Sequence, residues 1–201
     1  MESRLATTKS NTDLATMVEL RNEYYSDKKK NLLFKHSQKM ECASLICSRM
    51  DLADLMDHTF WIVPNKNQIY MEYRAFKLYG HPDVYPRIVD TVLEFCDWCV
   101  AQYGHFEMHV NIASLTISAI ERYRSLILRI NEECIRRQKG FLPRLVSVNL
   151  YNVTATMDNV LTILLQILPP ELGPKIKLYK KEESGPLLEK IHADSGKIYT
   201  P

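Results

Sequence analysis

Cys96-Asp97-Trp98-Cys99 carries the spacing of a redox dithiol or of half a zinc site. Each chemistry makes a demand on its surroundings. A reactive dithiol sits at a helix N-terminus, where the dipole lowers the thiol pKa, and zinc needs two further ligands. Here the pair falls in the second half of a helical pattern, on its apolar stripe, and no second pair of matching spacing follows. Buried core thiols are therefore expected. His105, Glu107 and His109 alternate along a strand pattern, which puts three metal-ligand types on one face. A central parallel strand is covered on both faces, so the expectation is a hydrogen-bonded His109 inside the core, with no metal and no other cofactor.

Ser114, Thr116 and Ser118 lie where a strand pattern gives way to a helical one. A phosphate added there would meet free backbone donors and the helix dipole. Ser118 and Glu121 also have the spacing of a capping box, a purely structural use. Lys175, Lys177, Lys180 and Lys181 concentrate charge near the last strand, and with Lys28, Lys29 and Lys30 they offer peripheral contact to anionic lipid or acidic partners. Each lysine is worth up to about 1 kcal/mol at a charged membrane. Glu182, Glu183 and Glu189 offset that charge, so a solvated edge is expected. Of the 11 tyrosines, Tyr70, Tyr73, Tyr79, Tyr85 and Tyr103 cluster in sequence, a composition that suits an interface and a core equally. With six glycines and no phosphate loop, no Ser-His-Asp set and no paired carboxylates, the chain is not expected to be an enzyme.

The elements that position these residues follow from periodicity. Residues 13–25 and 37–58 repeat apolar positions at three and four, with a helix restart at Asp51. The period then shortens. Residues 60–63 and 69–78 read as two strands around the turn residues Pro64-Asn65-Lys66-Asn67, an antiparallel hairpin. Residues 85–103 form a helix capped by Gly104, and 107–115 a strand. The next helix buries Ile117, Ile120, Tyr123, Ile127, Ile130 and Cys134 and stops at Gly140. Residues 145–151 and 176–179 are strands, 157–168 an apolar helix, and 187–192 a last helix with Ser184 as cap and Pro186 in its first turn. Strands that alternate with helices imply a mostly parallel sheet flanked by helices, an α/β fold, with ligands or partners beyond the strand ends.

Composition bounds the rest. A chain of 201 residues, 46% hydrophobic and 25% charged, suits one globular core with a helical appendage. A formal charge of +2 is too small for nucleic-acid binding by bulk electrostatics. No apolar run approaches the roughly 20 residues of a membrane helix, and residues 1–11 are polar, without a signal-peptide core. Five cysteines, an odd number, predict reduced thiols and a cytoplasmic setting. The expected organisation is a disordered tail over 1–11, a helical segment over 12–58, an α/β domain over 59–192 and a tail over 193–201.

The order of elements over residues 59–192 resembles the CRAL-TRIO lipid-exchange domain, whose core is related to that of STAS domains. An initial strand pair leads to the helix of 85–103. Glu107 to Ile112 stands where the family has an apolar strand ending in an acidic residue, here replaced by Asn111. Leu145-Val146-Ser147-Val148-Asn149-Leu150 stands at the family's apolar strand with a late Asn, and Lys175-Ile176-Lys177-Leu178-Tyr179 at its Lys-Ile strand. The Leu-Pro-x-x-x-Gly-Gly run of the final loop is missing, and the stretch between 150 and 175 is short. The resemblance implies a non-enzymatic module that binds a lipid or other apolar small molecule, or that serves as a protein-interaction scaffold. A lipid wall would come from Leu161, Leu164, Leu165 and Leu168. The alternative it implies is a STAS-like regulatory protein switched by phosphorylation near Ser118, with Ser114, Thr116 and Ser118 as the regulatory hydroxyls.

Overall fold

The computed structural model describes residues 12–28, 34–137, 140–154, 157–197 and 199, with the side chains of all of these except 12, 13 and 157–161. The segment 1–11, Lys29, Lys30 and the side chain of Leu161 lie outside the described residues. The chain begins with helices α1 (Thr12–Asp27), α2 (Lys35–Arg49) and α3 (Leu52–Asp57). Asp51 restarts the helix as expected, its carboxylate accepting from Ala53 N at 2.7 Å. Strands β1 (Phe60–Ile62) and β2 (Gln68–Glu72) follow, then helices α4 (Tyr73–Tyr79) and α5 (Tyr85–Tyr103). The remainder alternates: β3 (Phe106–Asn111), α6 (Ile117–Arg136), the single turn α7 (Phe141–Arg144), β4 (Leu145–Val153), α8 (Met157–Ile167), β5 (Ile176–Lys180) and α9 (Lys181–Asp194).

The five strands form one mixed sheet in the order β1-β2-β3-β4-β5. β1 pairs antiparallel with β2, and every later pair is parallel. Successive crossovers step in one direction across the sheet, so right-handed connections place the crossing helices on one face. Ile69, Phe106 and Leu145 face that layer, packed with Phe76, Ile88, Val92 and Leu93. Full burial of each such side chain contributes about 1.5–3 kcal/mol. The alternate residues face the opposite way. Trp61, Tyr70 and Tyr151 meet Leu188 and Ile191 of α9, and Trp61 Nε1 donates to Ser195 Oγ at 3.0 Å. The chain beyond α9 stays on this face: Lys197 lies 4.3 Å from the Trp61 ring centroid and bonds the Asp57 carbonyl.

Several expected boundaries move, each for a local reason. The strand predicted over 69–78 ends at Glu72, whose carboxylate accepts from Arg74 N at 3.1 Å and starts α4. Met71, Tyr73 and Ala75 alternate, but Tyr73, Phe76 and Tyr79 also fit a helical period, and burial of all three decides for the helix. The strand predicted to reach Leu115 stops at Asn111, where the Asn111 carbonyl side chain accepts from Ala113 N and turns the backbone. Ser118 does not cap α6. Thr116 occupies that place without a side-chain capping bond, and Glu121 pairs with Arg124. On α6, Ile120 and Tyr123 are buried as expected, Ile117 is exposed, and Leu126 joins the core. The last helix starts at Lys181 rather than Leu187: Glu183 accepts from Lys180 N at 2.9 Å, and Ser184 and Pro186 lie inside it. Gly104 holds its expected role, with φ 77° and its N–H on the Val100 carbonyl.

Candidate functional site at the carboxyl ends of the strands

The four parallel strands end together, and a buried polar network joins their ends. Glu72 on β2 accepts from Tyr70 Oη at 3.1 Å and from Asn111 Nδ2 at 2.8 Å. Asn111 is fully buried, and its Oδ1 accepts from Asn152 Nδ2 at 2.8 Å. Asn152 N in turn donates to Ser184 Oγ at 2.8 Å, which ties β4 to α9. Glu72 and Asn111 are register partners across the parallel β2–β3 pair, so the carboxylate of one strand end meets the amide of the next. Sequence reasoning passed over Glu72. Its signal was parity: Gln68, Tyr70 and Glu72 share the face opposite Ile69 and Met71.

Above this network runs the turn from β3 to α6. Two non-glycine residues of the crest have left-handed backbones, Ser114 at φ 65° and Asn152 at φ 61°. Ser114, Thr116 and Ser118 are all exposed, so the structure brings the three candidate hydroxyls to one surface. Lys77 Nζ of α4 donates to Ser114 Oγ at 2.7 Å, and the Thr116 and Ser118 hydroxyl oxygens are 3.2 Å apart. Ser118 lies in the first turn of the 20-residue α6 and Thr116 at its N-cap, at the positive end of the helix dipole.

The other candidates are dispersed or committed to packing. Cys96 and Cys99 are buried in the main core. Burial pushes the Cys99 thiol up to about 11 and Cys96 further up, the opposite of an activated dithiol. His105 is exposed, with Nδ1 2.9 Å from the Tyr103 carbonyl. His109 is buried, with Nδ1 2.8 Å from Tyr151 Oη and Nε2 3.2 Å from Glu107 Oε2. Its ring stacks on Tyr151, which stacks on Tyr179. Among the described residues, no three His, Cys, Asp or Glu side chains converge as metal ligands. Tyr70, Tyr73, Tyr79 and Tyr85 are core residues, and Tyr103 alone of that cluster is exposed.

Leu164, with Ile163 and Ile167, packs α8 against Ile112, Ile120 and Leu150, while Leu165 is 43% exposed and Leu168 half-buried. Lys175 bonds the Leu145 carbonyl, and Lys177, Lys180 and Lys181 are exposed along the β5 edge. An open groove of about 790 Å³ lies elsewhere, between α1, α2 and the turn at His81, lined by Leu20, Tyr24, Met40, Glu41 and Asp83. Nothing in the sequence pointed to it, because it arises from how α1 and α2 dock. No helix among the described residues is long and apolar enough to cross a membrane. Neither a protein-family model nor a curated protein matches the chain.

Proposed function

We propose that the protein is a non-enzymatic binding module of CRAL-TRIO/STAS-like build, a protein-interaction scaffold whose partner contact is switched by phosphorylation in the turn 114–118. The observation that carries this reading is the 2.7 Å bond from Lys77 Nζ to the exposed Ser114 hydroxyl, beside the first turn of α6. A phosphoryl group on Ser114 adds about 1.5–2 negative charges and three acceptor oxygens, and it meets a cation already in place. The upward-shifted thiols and the dispersed histidines support a binding role over catalysis. The test compares quantitative partner binding by the wild type, Ser114→Asp and Ser118→Asp. A several-fold change for at least one variant supports the switch; identical partner profiles for all three would remove it.

Leu165, exposed on an otherwise apolar helix, favours a second reading, an apolar-ligand carrier with a wall from Leu161, Leu164, Leu165 and Leu168. Native mass spectrometry of protein purified from cells tests it. A co-purifying lipid mass supports the carrier, and a bare protein mass sinks it.

A further inference from the structure

Four cations stand on helices that pack around α4: Arg21 of α1, Lys39 of α2, Lys77 of α4, which bonds Ser114, and Arg122 of α6. Their convergence follows from packing. α4 lies against α1, α2 and β3, and Tyr123 of α6 packs on Phe76 and Tyr73 of α4, with ring centroids 4.7 and 6.4 Å apart. The charges are close enough to act on one another. Burial lowers the Lys39 pKa, and the like charges of Arg122, Lys35, Lys77 and Arg21 lower it further. Lys77 is lowered in the same way by burial, Arg21 and Arg74, with Glu72 opposing.

An ordinary surface would intersperse carboxylates here or let the side chains splay into water. This junction does neither. All four residues are half-buried, and among the described residues none of them forms an ion pair with an acid. Glu72, a carboxylate that acts on Lys77, is engaged by Tyr70, Asn111 and Arg74. Arg122 Nε is shut off from solvent without a hydrogen-bond partner among the described residues. That nitrogen faces Tyr123, whose ring centroid lies 5.5 Å from the guanidinium carbon; it is the four half-buried like charges without an ion-paired acid that call for an acceptor from outside.

We propose that this junction binds a phosphate-bearing anion held by Arg21, Lys39, Lys77 and Arg122. Guanidinium forks match phosphate oxygens, and lysines add point charges around a dianion. A single carboxylate would leave most of the positive charge uncompensated. The site does not depend on the phosphorylation switch: a soluble phosphate ester and a phosphoryl group on Ser114 would use the same cations.

The test is thermal unfolding of the full chain in inorganic phosphate or pyrophosphate against chloride at matched ionic strength. Phosphate is expected to raise the Tm, and pyrophosphate to raise it more. Lys39→Gln is expected to raise the Tm in chloride, because a repulsive charge leaves, and to weaken phosphate binding at least tenfold. Arg21→Gln and Lys77→Gln read the same loss if Lys39→Gln fails to fold. Equal midpoints in phosphate and chloride, or variants that bind phosphate as the wild type does, would overturn the site. The mass of the protein purified from its own cells separates the sources: a covalent phosphate on Ser114 assigns the site to the chain's own phosphoryl group, and unmodified Ser114 with phosphate binding intact assigns it to a soluble ester.

Discussion

Lys77 and Ser114 lie 37 positions apart in sequence and 2.7 Å apart in space. Their contact joins the helix after β2 to the turn after β3, across the ends of two parallel strands. Ser114 is exposed, so the bond is a modest one. A double-mutant cycle with Lys77→Ala and Ser114→Ala is expected to give a coupling of about 0.5–1 kcal/mol by urea denaturation. Repeating the cycle with Ser114→Asp should increase the coupling and make it fall with salt. A salt-insensitive coupling would show that Lys77 does not sense charge at position 114.

The network below that contact is far less tolerant. Glu72→Ala leaves the Tyr70 hydroxyl and the buried Asn111 amide without their acceptor. Each unsatisfied group costs about 1–3 kcal/mol, so a loss of at least about 2 kcal/mol is expected by urea denaturation. Asn111→Asp is the sharper test. It places a second carboxylate against that of Glu72 at the end of a 2.8 Å contact. The variant is expected to be destabilised at pH 7 and to recover as acid protonates one of the pair. Stability equal to wild type at pH 7 would contradict the assignment of Glu72 as the acceptor.

His109 sets a pH dependence whose sign is fixed by its surroundings. Burial lowers its pKa below the ordinary 6.5, Glu107 opposes, and Lys66 and Lys177 add to the lowering. The folded state therefore binds fewer protons than the unfolded chain between the lowered value and about 6.5. Its stability is full above that pH and falls as the pH drops toward the folded value. His109→Gln is expected to flatten this part of a stability profile measured from pH 7.5 to 5. A wild-type profile with no slope there would contradict a buried neutral imidazole.

The Cys-x-x-Cys pair should behave as core rather than chemistry. Burial pushes Cys99 up to about 11, and Cys96 rises further. Iodoacetamide at pH 7.5 is expected to leave both unmodified in the folded protein and to alkylate both in denaturant, as read by peptide mass. Rapid labelling of the folded chain would reopen the redox reading.

Much of the fold was legible because its elements are long and strongly periodic. The stripe Ile88, Val92, Cys96, Cys99 ends at Gly104, and the structure puts the helix over those residues with a left-handed cap. The hairpin and the later alternation likewise emerged as β1 to β5 in sequential order, β1 antiparallel to β2 and every later pair parallel. The errors fall where two periods fit one segment or where a cap is made by an unusual residue. Tyr73 and Ala75 suited a strand until burial of Phe76 and Tyr79 decided otherwise. Ser184 looked like a cap, yet its hydroxyl bonds the Lys180 carbonyl from inside α9. At the candidate site, the hydroxyls were visible as a strand-to-helix turn. Lys77 and Glu72 were not, because their positions depend on which strand neighbours which.

The central claim is that the turn 114–118 carries a phosphoryl group in the working protein. Fragmentation mass spectrometry of the chain purified from the cells that make it reads this directly. A phosphate on Ser114, Thr116 or Ser118, removed by phosphatase, is the expected result. Recovery of that peptide only in unmodified form, across growth conditions, would contradict it.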